Sequence, residues 1–350
     1  MLNFNFTLTM NNETSKIYQK KLVQELSKHI GIEKQADVIA QIIGSSISSA
    51  YKKINLDTSF SFNEVVLLAN FFNLSLDQLY SKNASKFSIQ MDALHKMPEH
   101  PKDYLLNIIQ HLNSLTKLSK PSYVNLAGEV PIFHFMTFPR LFAFKLYSWN
   151  YGSWSIPAFK GQFDIDVYLR DNELIQLMEK CAHTYYHFSG IEIWNIRLLD
   201  ITLDQIKFFI QLNMFKDRNS VYLILTDLEK FTEHLLGMCE SATKRFETQS
   251  NYNKSAIKIY INEFVHSNEL IAVHSDEGNF IFASIDTPNF IISSDPKFTQ
   301  HLMKWLEITI KHSSQISGEG EKERKKLFNN LFQKLDRNKK EIYSLLDIYY

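Results

Sequence analysis

Serine, lysine and tyrosine side chains are concentrated in one short stretch, residues 46–55 (SISSAYKKIN). Ile47, Ala50 and Ile54 recur there at helical spacing, which predicts a helix with one apolar face. Its outer face is predicted to carry Ser48, Ser49, Tyr51, Lys52 and Lys53. Hydroxyl groups can hydrogen-bond base edges and lysines can contact phosphates, so this face suits the major groove of DNA. An ordinary helical hairpin packed in a core is the other interpretation of the same spacing.

These side chains can be assigned separate contacts with a DNA duplex. Ile47 is placed to touch a thymine methyl group, and Ser48 and Tyr51 to hydrogen-bond base edges. Lys52 or Asn55 would hold a phosphate. A second interpretation is equally open for Ile47, in which it packs against the first helix. The predicted DNA-binding set comprises Ser46, Ile47, Ser48, Ser49, Tyr51, Lys52, Lys53 and Asn55.

The residues before this helix predict the element that positions it. A preceding helix is indicated by apolar residues at helical spacing, namely Val38, Ile39, Ile42 and Ile43. Gly44 interrupts that pattern. Ser46 can then cap the next helix, because its hydroxyl can accept a hydrogen bond from a free backbone N–H. The predicted order is therefore helix, tight turn, helix.

This region resembles the lambda-repressor and Cro-type helix-turn-helix family over residues 17–80. Residues 43–46 (IGSS) match the turn of the family pattern, and Asn55 matches the loop that follows. Residues 62–72 match its fourth helix, and residues 73–80 (NLSLDQLY) match its closing phrase. The resemblance implies an all-α head that binds operator DNA through the helix after the turn.

Two positions depart from the family pattern. Ile47 stands at the first position of the recognition helix, which is often polar in the family. Ala36 replaces the glutamine that commonly opens the preceding helix. Direct hydrogen bonds to bases are therefore expected to be fewer than is usual for the family.

The charge of the N-terminal region is a weak electrostatic signal for DNA binding. Residues 1–82 contain eight lysines and seven acidic residues, a net charge of +1, and the first arginine of the chain is Arg140. The side chain that most commonly contacts guanine is thus missing from this region. Phosphate contacts must depend on few lysines and on backbone N–H groups, which favours two copies of the head and predicts a homodimer.

Length and composition predict a folded, multidomain protein. The chain has 350 residues, of which 45% are hydrophobic, enough for two or three domains with sizeable cores. The expected fold is an all-α lambda-repressor-like helix-turn-helix head followed by a linker helix and a larger α/β domain with a mixed sheet. The predicted boundaries are residues 13–82 for the head, 83–121 for the linker with its helix, 122–317 for the α/β domain, and 318–350 for a C-terminal helix.

Other features of the composition predict a cytoplasmic protein that does not associate with membranes. Cys181 and Cys239 are the two cysteines of the chain, too few to indicate a disulfide framework. The N-terminus shows no basic region followed by an apolar core, and no run of about 18 apolar residues is present.

Periodicity along the rest of the chain predicts several elements. Residues 1–12 alternate like a strand, with a sheet-adding arm and a loose tail both open, and residues 15–30 form a helix with Ile17 on its inner side. A βαβ unit is predicted from strands at residues 191–198 and 221–225 around a helix at 203–214. A further strand is predicted at residues 257–265, and a helix is expected to open at Asp295-Pro296. An antiparallel meander is predicted from segments 270–273, 280–285 and 290–292.

Two helical segments carry apolar stripes that require a partner. Residues 104–118 form one stripe, for which a signalling helix, a dimer seam and packing onto the C-terminal domain are all open interpretations. Leu327, Leu331 and Leu335 mark the other stripe, in the C-terminal helix. This stripe either docks on the second domain or pairs with its counterpart in a dimer.

Few residues outside the head have the types and spacing that chemistry requires. Cys181, His183 and His187 occur together in CAHTYYH, where two imidazoles one helical turn apart would need ligands from elsewhere to bind a metal. His234 and Cys239 are a conceivable base and nucleophile, but a buried structural thiol is the simpler interpretation. The ten glycines are scattered and form no phosphate-binding loop. No metal site, cofactor or enzymatic activity is predicted.

The second domain offers two further hints. Residues 290–317 look like the end of sensor domains in some bacterial regulators related to the phospholipase-D fold, without a His-x-Lys catalytic motif. This loose resemblance implies a domain that senses or associates and does not hydrolyse. An apolar pocket is conceivable around four aromatic residues, for which core packing is the alternative: Trp149, Trp154, Tyr185 and Trp194.

The leading hypothesis is a bacterial, cytoplasmic transcriptional regulator that binds double-stranded DNA as a homodimer. A small molecule or a protein is expected as its effector. Two rival hypotheses are an α/β enzyme of phosphodiester or nucleotide chemistry that the head targets to DNA, and an antitoxin or phage-type repressor that grips a protein partner. Convergence of His183, His187 and nearby acids in a pocket would favour the enzyme.

Overall fold

A computed structural model describes residues 12–30, 34–72, 74, 76–80, 98–244, 255–264, 269–285 and 288–350. The chain divides into two compact units, residues 1–88 and residues 89–350. The predicted N-terminal strand lies outside the described residues, except that Asn12 already belongs to the first helix. Among the described helices, none combines the length and the apolar composition that a membrane span requires.

The first unit, here called the head, is helical as predicted. Its described helices are α1 (Asn12–His29), α2 (Gln35–Ile43), α3 (Ile47–Ile54), α4 (Phe62–Phe71) and α5 (Leu76–Tyr80). They enclose a small core of seven buried residues: Leu22, Leu26, Ile30, Ile39, Ala40, Ala50 and Leu68. Ile17, predicted on the inner side of α1, is instead exposed, because the core does not extend to the first turns of this helix.

The second unit is an α/β fold with a mixed sheet, as predicted. Its strands are β1 (Ser122–Leu126), β2 (Gly190–Asn195), β3 (Thr243–Lys244), β4 (Ser255–Asn262), β5 (Leu270–Ser275), β6 (Gly278–Ser284), β7 (Phe290–Ser293) and β8 (Ser314–Gln315). The strand order in the described sheet is β3-β4-β2-β1-β5-β6-β7, with β8 beside β4. β2 pairs in parallel with β1 and with β4, and the remaining pairs are antiparallel.

Helices cover the sheet of the second unit. They are α6 (Pro101–Leu115), α7 (Ile132–Phe135), α8 (Pro139–Trp149), α9 (Ile165–Leu169), α10 (Asn172–His187), α11 (Asp200–Gln211), α12 (Arg218–Ser241), α13 (Pro296–Lys311) and α14 (Glu321–Tyr349). Asp295 caps α13 by accepting hydrogen bonds from the backbone N–H groups of Lys297 and Phe298, each at 3.0 Å, which confirms the predicted start of this helix.

One predicted strand is wrong. Residues 221–225 lie inside α12. The strand that follows β2 in the chain and pairs with it in parallel is β4, and the connection between them contains both α11 and α12. Val221, Ile224 and Leu228 are buried at i, i+3 and i+7, which is helical spacing. A five-residue apolar window fits a buried strand and a buried helix equally well, so periodicity alone could not separate the two.

The predicted meander is confirmed. β5 pairs with β6 over residues 270–275 and 278–283, and β6 pairs with β7 over residues 281–284 and 290–293, both antiparallel. The turn between β5 and β6 is formed by Asp276 and Glu277, and Gly278 follows at a φ of 141° that side chains other than glycine rarely adopt.

Both apolar stripes are buried within the second unit. Tyr104, Leu105, Ile109 and Leu112 of α6 belong to its main core. The same core takes six residues of α14: Leu327, Phe328, Leu331, Leu335, Ile342 and Leu346. α6 packs against α10, and α14 packs against α11 and α12. These faces therefore dock onto their own chain and are not available as dimer seams.

A network of polar side chains is buried against the centre of the sheet. Glu192 on β2 is fully buried, and its carboxylate contacts four side chains: Tyr123 Oη at 3.0 Å, Tyr185 Oη at 2.8 Å, Trp194 Nε1 at 2.8 Å and His134 Nε2 at 2.9 Å. Burial raises the pKa of Glu192, but the charge and hydrogen bond of His134, the charge of Lys244 and the indole N–H of Trp194 bring it down to about 2.

Lys244 on β3 completes this network. Its ammonium group donates hydrogen bonds to Tyr123 Oη at 3.1 Å and to the backbone oxygen of Tyr185 at 2.9 Å. Burial lowers the pKa of Lys244 to about 7, and the charge of Glu192 opposes this shift. Tyr123 is able to approach Glu192 because its ring lies over Gly190, where a Cβ atom would come within 2.5 Å of the ring.

We expect Glu192→Gln to destabilise the second unit by about 3–5 kcal/mol near neutral pH, because it leaves buried cations without their counter-charge. The pKa of Glu192 is lower in the folded state than in the unfolded state. Its stabilisation is therefore present above the unfolded pKa, near 4.3, and is lost as the pH falls through about 2. The difference in the free energy of unfolding between the two proteins should narrow from pH 5 to pH 3.

Urea unfolding monitored by tryptophan fluorescence measures this difference, since all four tryptophans lie in the second unit. Glu319→Gln, at an exposed glutamate of the same unit, is the matched control and should leave stability nearly unchanged. A difference that stays constant between pH 5 and pH 3 would contradict the role assigned to the ionised Glu192.

Candidate nucleic-acid interface

The turn between α2 and α3 has the predicted form. Gly44 ends α2 in the left-handed conformation, with a φ of 64°, and the backbone N–H of Ser45 donates to the oxygen of Ala40 at 2.9 Å. Ser46 then caps α3, because its hydroxyl oxygen accepts a hydrogen bond from the backbone N–H of Ser49 at 3.2 Å. Gly44 and Ser46 thus fix where one helix ends and the next begins.

Very little of α3 is used for packing. Ala50 is its one fully buried residue, at 0% exposure, and Ile54 is half-buried. Ile47, predicted on the same apolar face, is 56% exposed, so it does not pack in the head core as one interpretation had it. Helical spacing gives the direction of a side chain around the helix axis, but it does not say whether the core extends to that end of the helix.

The exposed surface of α3 is a continuous stripe along the helix. It consists of Ile47, Ser48, Tyr51, Lys52 and Asn55, which follow one another at i, i+1, i+4, i+5 and i+8 and are all exposed. This set is here called the α3 stripe. It combines an apolar side chain with two hydroxyl groups, one amine and one amide. Ser46 is exposed beside its start, and Ser49 is half-buried.

Lys53 is not on this surface, which corrects its predicted place on the outer face. Its ammonium group forms an ion pair with Glu64 at 2.7 Å and donates to the backbone oxygen of Ser59 at 3.0 Å, and its side chain is only 12% exposed. Glu64 also belongs to the capping box of α4, where it accepts from the backbone N–H of Ser61 at 2.6 Å. Lys53 therefore fastens the end of α3 to the start of α4.

Gln19 on α1 was not among the predicted site residues, but it anchors α3. Its amide nitrogen donates to the backbone oxygens of Lys53 at 2.7 Å and Thr58 at 2.8 Å, and its amide oxygen accepts from the backbone N–H of Phe60 at 3.3 Å. These partners are 34 to 41 residues away in the sequence. No local pattern could therefore have indicated this role.

Gln35 anchors the start of the preceding helix in the same way. It is buried, and its amide nitrogen donates to the hydroxyl of Ser27 at 2.9 Å and to the backbone oxygen of Val23 at 3.3 Å. The glutamine at the start of α2 is thus directed toward α1. Gln35 therefore does not take the place of the DNA-contacting glutamine of the family pattern, which is missing at Ala36.

The cysteine of CAHTYYH does not join the two histidines in one site. Cys181 is buried with its thiol 3.6 Å from the backbone oxygen of Leu105, and burial raises its pKa to about 12. His183 and His187 lie exposed on α10 with ring centres 4.4 Å apart. The described part of the chain contains no group of three side chains that would bind a metal.

His234 and Cys239 do not have the properties of a base and a nucleophile. His234 Nε2 lies 3.2 Å from the hydroxyl of Tyr186, and burial, with a smaller contribution from His134, lowers its pKa to about 4. Burial also raises the pKa of Cys239 well above its ordinary value. A thiol that is held protonated in apolar surroundings is a poor nucleophile.

Comparison with known proteins supports the assignment of the head. Residues 13–102 match the BetR domain, a family of DNA-binding domains of the helix-turn-helix type. The match covers about a quarter of the chain and includes the α3 stripe. No curated protein and no solved structure matches the chain, so the resemblance of residues 290–317 to sensor domains related to the phospholipase-D fold gains no support. The match is consistent with the helix-turn-helix arrangement of α2 and α3.

We expect Lys53→Met to loosen α3, because it breaks the ion pair with Glu64 and leaves that carboxylate half-buried without its partner. Hydrogen exchange of the backbone amides of α3, followed by mass spectrometry on the full chain, should become about 5- to 30-fold faster. Lys52→Met makes the same chemical change at an exposed neighbour and should leave these rates nearly unchanged. Equal effects of the two substitutions would contradict the anchoring role of Lys53.

Proposed function

We propose that this protein is a sequence-specific transcriptional regulator that binds double-stranded DNA by placing the α3 stripe in the major groove. The observation that carries the proposal is the α3 stripe itself, a set of base- and phosphate-contacting side chains left exposed on the second helix of a helix-turn-helix. The match of residues 13–102 to a family of DNA-binding domains supports it. Ile47 and Tyr51 are both more than half exposed, so neither is used for packing the head core.

The side chains of the stripe divide the work of recognition. Ile47 contacts a thymine methyl group, and Ser48 and Tyr51 hydrogen-bond base edges. Lys52 and Asn55 contact phosphates near the other end of the helix. Because α3 offers no arginine, methyl contacts and hydroxyl groups must supply most of the discrimination between bases.

The protein acts as a homodimer on DNA. Lys53 forms an ion pair with Glu64, so Lys52 is the one exposed lysine that α3 contributes to phosphate binding. The other exposed lysines of the described head are Lys16, Lys20, Lys21, Lys28 and Lys34, and Lys28 pairs with Glu25. Two heads on half-sites one helical turn apart would double this small number of phosphate contacts. The dimer contact uses surfaces other than the apolar faces of α6 and α14.

The second unit controls the head and does not catalyse a reaction. The chemical groups that an enzyme would require are separated, since His183 and His187 are exposed while Cys181 and Cys239 are buried. A soluble regulator of this kind works in the cytoplasm, where the DNA is. Its second unit receives a signal or holds the dimer together.

Selection of binding sites from a random duplex library with the full chain tests the proposal. We expect enrichment of an inverted repeat whose half-sites are about 10–10.5 base pairs apart, centre to centre. We also expect log Kd to rise with log salt concentration, because cations on the protein displace condensed counterions. A folded, monodisperse sample that retains no duplex at 50 mM salt would exclude the proposal.

Substitutions in the α3 stripe separate base contacts from phosphate contacts. Ser48→Ala should cost about 1–3 kcal/mol at one base pair and relax the preference there. Lys52→Ala should weaken binding to all sequences alike and reduce the salt slope by about one per head. Lys117→Ala, at an exposed lysine of the second unit, is the matched control. Gel shift at several salt concentrations measures these effects, and thermal unfolding should show nearly unchanged stability for all three variants.

A further inference from the structure

The second unit contains a cavity of about 120 Å³ between α6 and one face of the sheet. Its walls come from α6, α7 and α10 and from strands β1, β5, β6 and β7. Seven phenylalanine and tyrosine side chains line it: Tyr104, Tyr123, Phe133, Tyr185, Phe188, Phe282 and Phe290. Of the four aromatic residues that the sequence offered for an apolar pocket, Tyr185 lines this cavity, and the three tryptophans do not.

The aromatic walls are interrupted by a few polar groups. Asn125 of β1 and Glu269, just before β5, both line the cavity, and Asn125 is 4% exposed. Tyr104 is 7% exposed, and its hydroxyl group has no hydrogen-bond partner among the described residues. A buried hydroxyl without a partner destabilises the fold, because it has lost its hydrogen bonds to water. A ligand that hydrogen-bonds to it would remove that cost.

The charges next to the cavity are not balanced. Glu129 is buried and pairs with the ammonium group of Lys145, and it also accepts hydrogen bonds from the backbone N–H and the hydroxyl of Thr202, each at 2.9 Å. Glu269 lies close enough to this pair for both charges to act on its carboxyl group. The ion pair of Lys145 is with Glu129.

Glu269 is the one glutamate that lines the cavity among the described residues. Burial and the charge of Glu129 raise the pKa of its carboxyl group, while the backbone N–H of Gly128 and the charge of Lys145 oppose the shift. Glu192, in contrast, is surrounded by hydrogen-bond donors and cations within the same unit. Of these two carboxylates, Glu269 is the one that lines the cavity, and no ion pair with it is found within the described part of the chain.

We propose that this cavity binds a small organic cation, an amine whose ammonium group pairs with Glu269 and whose apolar body lies against the aromatic rings. The negative faces of aromatic rings attract cations, and the Tyr104 hydroxyl oxygen can accept an ammonium N–H. The volume favours a compact ligand, since a cavity of about 150 Å³ accommodates benzene. A single ring or a branched alkyl group with one amine matches both the size and the charge.

The role of this cavity as the effector site of a regulator rests on the proposed function. Binding of the amine itself can be measured without DNA. α6 forms one wall of the cavity and is the first described helix after the head in the chain. Ligand contacts with Tyr104 and Leu112 therefore act on the helix that is nearest the head in sequence.

Titration calorimetry of the full chain with benzylamine and with benzyl alcohol tests the proposal, because the two probes share a shape and differ in charge. We expect benzylamine to bind at pH 7 with a Kd of about 1 mM or below, and benzyl alcohol to bind at least tenfold more weakly. Glu269→Gln should weaken benzylamine binding at least tenfold and leave benzyl alcohol nearly unaffected. Glu319→Gln is the matched control and should change neither.

Tyr104→Phe keeps the ring and removes the hydroxyl group, so it should weaken benzylamine binding a few-fold without loss of folding. If Glu269→Gln does not fold, this variant and the comparison of the two probes on the unaltered chain still decide the question. Absence of benzylamine binding, or equal binding of both probes, would overturn the proposal. That result would not affect the expected selection of DNA sites. If the chain bound benzylamine but no DNA, the cavity would still be an amine site, but not the effector site of a DNA-binding regulator.

Discussion

The exposure of the α3 stripe depends on how a helix of eight residues is held in place without using its outer face. Such a short helix is not stable by itself in water, and α3 buries only Ala50 completely. Its two ends are fixed instead. Ser46 caps the first turn, while Gln19 and the Lys53–Glu64 pair hold the last turn and the loop that follows. Hydrogen bonds and an ion pair at the two ends of α3 take the place of packing along its length. The five residues of the α3 stripe therefore remain exposed.

In the head, polar contacts lie at the ends of α3. In the second unit, by contrast, charged side chains lie inside the core, where each is paired with groups of opposite charge or with hydrogen-bond donors. Glu192 is stabilised by donors from β1, β2, α7 and α10, so the strands and helices that meet there are tied to one point. Glu129 is likewise matched by Lys145 and by Thr202. Glu269 breaks the pattern. Glu129 and Glu192 are compensated within the fold, whereas Glu269 lines an aromatic cavity. A cation from solution can pair with it there.

Local patterns predicted the parts of the fold that local physics determines. The end of α2 at Gly44, the cap at Ser46, the exposure of Ser48, Tyr51 and Lys52, and the β5-β6-β7 meander all follow from turn chemistry and short-range periodicity. The errors arose where distant residues decide. Lys53 is turned inward by a glutamate 11 positions away. Residues 221–225 were mispredicted for another reason: a five-residue window is too short, and the apolar pattern continues at helical spacing through Leu228. The cavity could not be predicted, because its walls are brought together from segments between Tyr104 and Ile292.

The position of α14 has a consequence for synthesis of the protein in the cell. Leu346 belongs to the core of the second unit, yet the ribosome adds it more than 260 residues after Tyr80. At 5–20 residues per second, the head is complete on the order of 10–50 s before the second unit can close its core. During that interval the α3 stripe of a nascent chain is already formed, while the apolar surfaces of α11 and α12 are not yet covered. Mutations that slow the docking of α14 would therefore expose the cell to aggregation-prone intermediates in which the head is already folded.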